Sequence, residues 1–275
     1  MTRAQKIIYV LGLGHSGSTV LDMLLTTGGK AVGLGQVWTV LREDFAISKE
    51  RICSCGVPAL NCAMWGPVLE QTASLSQDVP PWSRYQLILD RAAHLYGPEI
   101  TIVDSSKLVE NLSLLVHCFP DAGLHVIHNI KDVRSFTISM LDNSHRKARG
   151  RELPEKIFYR WYRDNRRAYQ QASALLGRPP TGVMYEGLCL APEAMTERLT
   201  EALGEQHIDL QAALNSGYTH IISGNRSRLR ESGRADTLAY DYQWLARREW
   251  LRPYLVMRMV RSYNERCWRE FGGLN

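Results

Sequence analysis

The run Lys6-Ile7-Ile8-Tyr9-Val10-Leu11, followed at once by Gly12-Leu13-Gly14-His15-Ser16-Gly17-Ser18-Thr19, leaves this chain little choice of fold. The first six residues are mostly apolar and three are β-branched, which predicts a buried strand. Glycines and serines then make a tight turn, and Val20-Leu21-Asp22-Met23-Leu24-Leu25 opens a helix. A strand, a glycine-rich turn and a helix N-terminus form an anion cradle, because turn N–H groups point inward and the helix dipole favours negative charge. Glycine is needed where the backbone takes a positive φ or an oxygen must come close.

Spacing separates the motifs that share such a cradle. Gly12, Gly14 and Gly17 satisfy G-x-G-x-x-G. That fingerprint wants an acid about 20 residues on for a ribose, and Gly33-Leu34-Gly35-Gln36-Val37-Trp38 offers none. Gly12 and Gly17 also fit G-x-x-x-x-G-K-[ST], but Ser18 stands in the lysine position, with Thr19 after it. A nucleotide kinase or other phosphotransferase built this way would lack its main cation for the β/γ-phosphates. A third reading keeps the cradle and changes the ligand to a single 5′-phosphate carrying a sulfuryl group. Such a ligand needs N–H and hydroxyl donors and one nearby cation.

Gly14-His15-Ser16-Gly17-Ser18-Thr19 resembles the phosphosulfate loop of sulfotransferases that use 3′-phosphoadenosine-5′-phosphosulfate (PAPS). His15 stands where that family usually has lysine or arginine. The resemblance continues in order along the chain. Val103-Asp104-Ser105-Ser106-Lys107 resembles a recurring segment of bacterial members. Lys131 and Ser139 match the family's 3′-phosphate pair, a cation at a strand end with a serine eight residues on along the returning helix. Lysine there keeps the charge and loses the guanidinium fork. Tyr185-Glu186-Gly187-Leu188 resembles the family's Tyr-Glu-Asp-Leu, and Ser223-Gly224-Asn225-Arg226-Ser227-Arg228 a late Gly-Asn-x-x-Arg element.

The resemblance implies a three-layer α/β/α fold with a central, mostly parallel sheet, P-loop-like, and transfer of a sulfuryl group to a hydroxyl or amine with release of PAP. It implies that Gly14, Ser16, Gly17, Ser18 and Thr19 hold the 5′-phosphosulfate. Lys131 and Ser139 would hold the 3′-phosphate, with Tyr185, Asn225, Arg226 and Arg228 near the nucleotide. His15 and Lys107 would steady the bridging oxygen. Asp104 reads either as a base or as the cap of the next helix, and Tyr185 either as a nucleotide contact or as a structural tyrosine. Gln36 occupies a place where a glutamate base is often found, and glutamine cannot take a proton. Glu43 and Asp44 read as solvated helix charges. A chain that binds PAP and transfers nothing also fits, given Gln36 and His15.

Composition bounds the rest. With 275 residues and 45% hydrophobic content, one domain spanning 1–275 is expected, with a cysteine-containing lobe around 48–83. The net charge of +5 suits a small polyanion. The expected partner is a small-molecule acceptor rather than nucleic acid or a membrane, with the chain a monomer or homodimer. No apolar run reaches the roughly 18 residues of a membrane span, and the first strand follows the N-terminus directly, so a cytoplasmic protein is expected. Of six cysteines, Cys53, Cys55 and Cys62 lie close together. C-x-C with a third cysteine and no neighbouring histidine is not a usual zinc spacing, so a reduced loop and no metal are expected.

The coarse prediction of elements is a strand over 6–11, an extended segment at 33–38 and helices over 39–47 and 84–96. Strands follow at 99–104 and 124–130. A long helix covers 154–176, a strand 181–185, and a helical C-terminal region 240–271.

Overall fold

A computed structural model describes residues 6–42, 51–75, 79–146, 152–204, 208, 218–224, 238 and 240–273. Its centre is a six-stranded sheet in the order β5-β4-β1-β3-β2-β6. The strands are β1 (Lys6–Gly12), β2 (Ala31–Gly35), β3 (Thr101–Lys107), β4 (Gly123–Ile130), β5 (Thr181–Met184) and β6 (Tyr218–Thr219). Every pairing between them is parallel.

A parallel sheet must be covered on both faces, and the alternation of β1 shows how. Ile7, Tyr9 and Leu11 point into one apolar cluster. That cluster is built with α2 (Val37–Arg42), α3 (Trp65–Ser74), α4 (Pro81–Tyr96), α5 (Val109–Cys118) and the C-terminal half of α7 (Pro154–Leu176). Ile8 and Val10 point the other way. They meet α1 (Ser18–Leu24), α8 (Tyr185–Leu190) and α9 (Pro192–Leu203). A third cluster joins α6 (Val133–Arg146) and α7 to the C-terminal elements, a 3₁₀ turn at Gln243–Ala246, α10 (Leu251–Val256) and α11 (Arg258–Phe271).

Local chemistry sets several boundaries. Helices α4, α7 and α9 each begin with proline in the first turn, where a missing N–H costs nothing. Helix α7 ends at Gly177, whose φ of 66° terminates it in the left-handed region.

The chain crosses from β1 to β2 on one side, places β3 between them, then returns to lay β4 on the other side of β1. In such a sheet, ligands sit beyond the strand C-termini where the order reverses. The glycine loop after β1 and the residues after β4 lie at that point, since Gly12 is in register with Asn129.

Three expectations change. Ser105, Ser106 and Lys107 continue β3 instead of leaving it. The Ser105 and Ser106 hydroxyls are met by Asp22 and Asp104, so the strand keeps them. Val37 and Trp38 begin α2 instead of extending β2. The region 240–271 is broken into a 3₁₀ turn and two helices, with Met257 at φ −90° and ψ 69° between the latter.

Candidate functional site

The loop after β1 is shaped by close approaches. A Cβ on Gly12 would stand 2.3 Å from the Asn129 carbonyl oxygen, so β4 presses directly on the start of the turn. Gly17 caps α1 with φ 82° and ψ 12°, and a Cβ there would stand 2.4 Å from the Tyr185 ring. His15 holds a positive φ of 71°, uncommon for a residue with a side chain. Among the described residues Gly14 is open, with nothing within 4 Å of an added Cβ.

The loop is tied to its neighbours. Asn129 Nδ2 donates to the Ser16 carbonyl at 2.9 Å. A 3.0 Å hydrogen bond joins His15 Nδ1 to Ser139 Oγ on α6. Ser16, Ser18 and Thr19 are buried. Ser16 Oγ and Asn129 Oδ1 have no hydrogen-bond partner among the described residues, a costly condition for buried polar atoms in a finished fold.

Lys131 follows β4 directly. It is buried, and its Nζ lies 4.9 Å from the centre of the Tyr185 ring, the same ring that covers Gly17. Its counter-ion is Asp241, 3.3 Å away and 42% exposed. Tyr185 opens α8, and the next residue, Glu186, is buried and accepts the Asp132 N–H at 3.1 Å with both carboxylate oxygens. Burial, and then the nearby Asp132 charge, push the Glu186 carboxyl up to about 8. Asp132 is itself buried. Burial pushes its carboxyl up too, but hydrogen bonds from Arg134, Asn264 and Trp268 outweigh that and leave it below its usual value. Arg134 is fully engaged, bidentate to Asp132 and 4.5 Å from the Trp244 ring.

The β3 terminus divides by the alternation of a strand. Asp104 and Ser106 face one side. Asp104 Oδ2 accepts the Tyr85 hydroxyl at 3.1 Å, and Oδ1 accepts the Ser106 N–H at 2.9 Å as well as the Ser106 hydroxyl. Burial pushes this carboxyl up to about 7. Ser105 and Lys107 face the other side. Asp22 on α1 accepts the Ser105 hydroxyl at 2.9 Å and the Gly35 N–H at 3.0 Å, stitching α1 to β2 and β3. Burial pushes Asp22 up to about 8, offset in part by those two hydrogen bonds. Lys107, at φ 72°, is pulled down to about 8 by burial, with Asp22 partly restoring it. A non-glycine residue in that region at a strand end is stored strain of the kind that gathers at binding sites.

The structure thus brings Gly17, Tyr185 and Lys131 into one stack and His15 and Ser139 into one hydrogen bond. Asp104 lies beneath the rim, with both oxygens engaged. Asn225, Arg226 and Arg228, like Glu43 and Asp44, lie outside the described residues. Cys53, Cys55 and Cys62 meet His220, a histidine that their local spacing did not supply.

With this geometry in view, comparison with known families is decisive. The sequence profile of the sulfotransferase family matches residues 8–209, most of the chain. The chain belongs to the sulfotransferase family. No curated protein matches it. The match takes in the glycine loop, β3, Lys131, Ser139 and Tyr185 of this family member and stops before Asp241 and the C-terminal helices.

Sequence reasoning missed three residues of the site. Asn129 carried a weak signal as a polar residue inside a strand. Asp22 carried one as an acid on the buried face of a short helix. Asp241 carried none, because it reaches Lys131 from 110 positions away.

Proposed function

We propose that this chain transfers a sulfuryl group from PAPS to a hydroxyl or amine of a small acceptor and releases PAP, on a three-layer P-loop-like scaffold. The observation that carries the reading is the Gly17–Tyr185–Lys131 stack at the β1/β4 switch point, where one buried cation stands beside a glycine loop. The residues fit a nucleotide with separate 5′ and 3′ anionic groups. Loop N–H groups and the hydroxyls of Ser18 and Thr19 serve the 5′-phosphosulfate, and the unpartnered Ser16 Oγ adds a donor beneath them. Lys131 and Ser139 serve the 3′-phosphate, Lys131 giving up Asp241. His15, set by Ser139, and Lys107 stabilise charge on the bridging oxygen. Charge stabilisation and positioning dominate such transfers. Asp104 fixes the end of β3 for Lys107.

The phosphotransferase reading is weaker. Ser18 still replaces its lysine, and Asp104, its candidate magnesium carboxylate, has both oxygens engaged by Tyr85 and Ser106.

The test is calorimetric titration with PAP in EDTA, beside ATP–magnesium. PAP is expected to bind without metal, and Lys131→Ala to weaken it about 10- to 100-fold, the scale of one lost charged hydrogen bond. Equal affinity in Lys131→Ala, or preference for ATP–magnesium, refutes the assignment. His15→Lys is expected to keep PAPS turnover and His15→Ala to lose most of it. A PAP-binding chain that turns over no hydroxyl or amine acceptor would mark a binding protein.

A further inference from the structure

Three cysteines and one histidine, far apart in sequence, converge on one point beside the β2–β6 edge. Cys62 Sγ lies 3.6 Å from Cys53 Sγ and 3.7 Å from Cys55 Sγ. His220 Nδ1 lies 3.1 Å from Cys62 Sγ and 3.8 Å from Cys53 Sγ. All four ligand atoms fall within 4.8 Å of one another.

Those separations discriminate between the fates open to a cysteine cluster. A disulfide needs sulfurs about 2.05 Å apart, and all of these cysteines are free. A tetrahedral zinc site with Zn–S of about 2.3 Å puts its sulfurs about 3.8 Å apart, close to the distances found here. As simple core fillers, three thiols and an imidazole within one coordination sphere would be a poor choice, because they leave weak donors crowded on one acceptor where aliphatic side chains would pack.

We propose that Cys53, Cys55, Cys62 and His220 bind one zinc ion as a closed structural site.

The surroundings are arranged as such a site requires. Cys53, Cys62 and His220 are buried. His220 Nε2 is hydrogen-bonded to the Tyr96 hydroxyl, which leaves Nδ1 to the metal and fixes the ring, the role of an outer-shell partner. The turn that carries the first two ligands closes on itself. Cys53 N donates to the Val57 carbonyl at 2.8 Å, Gly56 N donates to the Cys53 carbonyl at 2.9 Å, and Gly56 takes φ 91°. Ser54, between the two cysteines, pins the turn to the segment of the fourth ligand. Ser54 N donates to the Ile221 carbonyl at 3.0 Å, and Ile221 N donates to Ser54 Oγ at 2.9 Å. His220 is held to the sheet by its own N–H, which donates to the Gly33 carbonyl at 2.7 Å. Three thiolates favour zinc over the harder cations, and four protein ligands leave no open position for chemistry.

The ion would fasten the 51–65 lobe to the sheet edge. Beyond His220 the chain reaches the glycine loop within four residues. Gln36 N donates to the Ser223 carbonyl at 3.4 Å, and a Cβ on Gly224 would stand 3.1 Å from Thr19 Oγ1. The ion therefore anchors a segment that borders the proposed phosphosulfate loop, without touching the donor itself.

The experiment uses the full chain without a histidine tag, purified in reductant and without chelator. Elemental analysis is expected to give one zinc per chain. Exchange of zinc for cobalt is expected to give the visible bands of tetrahedral cobalt and a sulfur-to-cobalt charge-transfer band. Cys55→Ser, at the most exposed ligand, is expected to lose the zinc, and Cys118→Ser to keep it. Tyr96→Phe is expected to keep the stoichiometry and lose to a competing chelator about 10- to 100-fold more readily. Wild-type chain that carries no zinc, takes up none when reduced and shows no tetrahedral cobalt spectrum overturns the proposal. So does zinc retained at one per chain in Cys55→Ser, and so does an iron chromophore in place of zinc.

Discussion

Gly17→Ala is the most exposing single change at the site, because it makes two separable demands. Gly17 sits at φ 82° and ψ 12°, and a Cβ there would lie 2.4 Å from Tyr185 Cδ2 and 3.0 Å from Cε2 and Cγ. The left-handed backbone costs a residue with a side chain roughly 1–2 kcal/mol. Driving a methyl group into a packed ring costs roughly another 1–3 kcal/mol. The ring cannot retreat freely, since Tyr185 is buried and Lys131 lies 4.9 Å from its centre. The sum, roughly 2–5 kcal/mol, corresponds to a fall of about 5–15 °C in Tm for a chain of this size. PAP affinity should fall with it, because displacing the ring displaces the lysine. Gly14→Ala is the control, with nothing within 4 Å of its Cβ among the described residues and an expected change near zero. Thermal unfolding by near-ultraviolet circular dichroism gives the numbers, repeated in a Tyr185→Ala background where only the backbone cost should survive. Gly17→Ala as stable as wild type, or equally costly with and without the Tyr185 ring, would refute the reasoning.

Two further outcomes follow from buried and paired charges. Asp22 and Glu186 are held near 8 in the fold against 3.8 and 4.5 as ordinary carboxyls, so the folded chain keeps protons that the unfolded chain releases. Their contribution is fully present below about pH 4 and is lost as pH rises through about 8. Tm should fall between pH 5.5 and 8, and Glu186→Gln should flatten that fall; an unchanged slope in the variant counts against the assignment. Asp241, half-exposed, competes with any anion for Lys131. Asp241→Asn should tighten PAP about 2- to 5-fold at low salt, the worth of one exposed ion pair, and weaker binding by calorimetry would place Asp241 among the groups that hold the nucleotide.

What the sequence made legible was local. The long helix 154–176 was found at its observed bounds, where the structure has Pro154 in the first turn and Gly177 at the end, and the first strand and loop were legible from apolar run and glycine. The β3 terminus was misjudged because Ser105 and Ser106 look like turn residues until Asp22 and Asp104 are known to meet them. β6 has only two residues, too few for any period to show. At the candidate site, Lys131 and Ser139 stood out through the family resemblance, but the stack of Lys131 with Tyr185 joins residues that only the sheet order brings together. His220 stands 158 positions from Cys62, so no ligand spacing could have announced it.

The Asp132 carboxylate has a consequence for how the chain is made. Two of its partners are Asn264 Nδ2 at 3.0 Å and Trp268 Nε1 at 2.7 Å, and Asn264 Oδ1 also accepts the Val133 N–H at 2.9 Å. These contacts span more than 130 residues. On the ribosome, where N-terminal parts emerge and organise first, the sheet through β5 precedes the groups that satisfy this fully buried acid. The strand end that carries Lys131 is therefore completed only when α11 docks. Contacts of such long range are slow to close, and a chain stopped before residue 264 would hold a buried negative charge short of two partners.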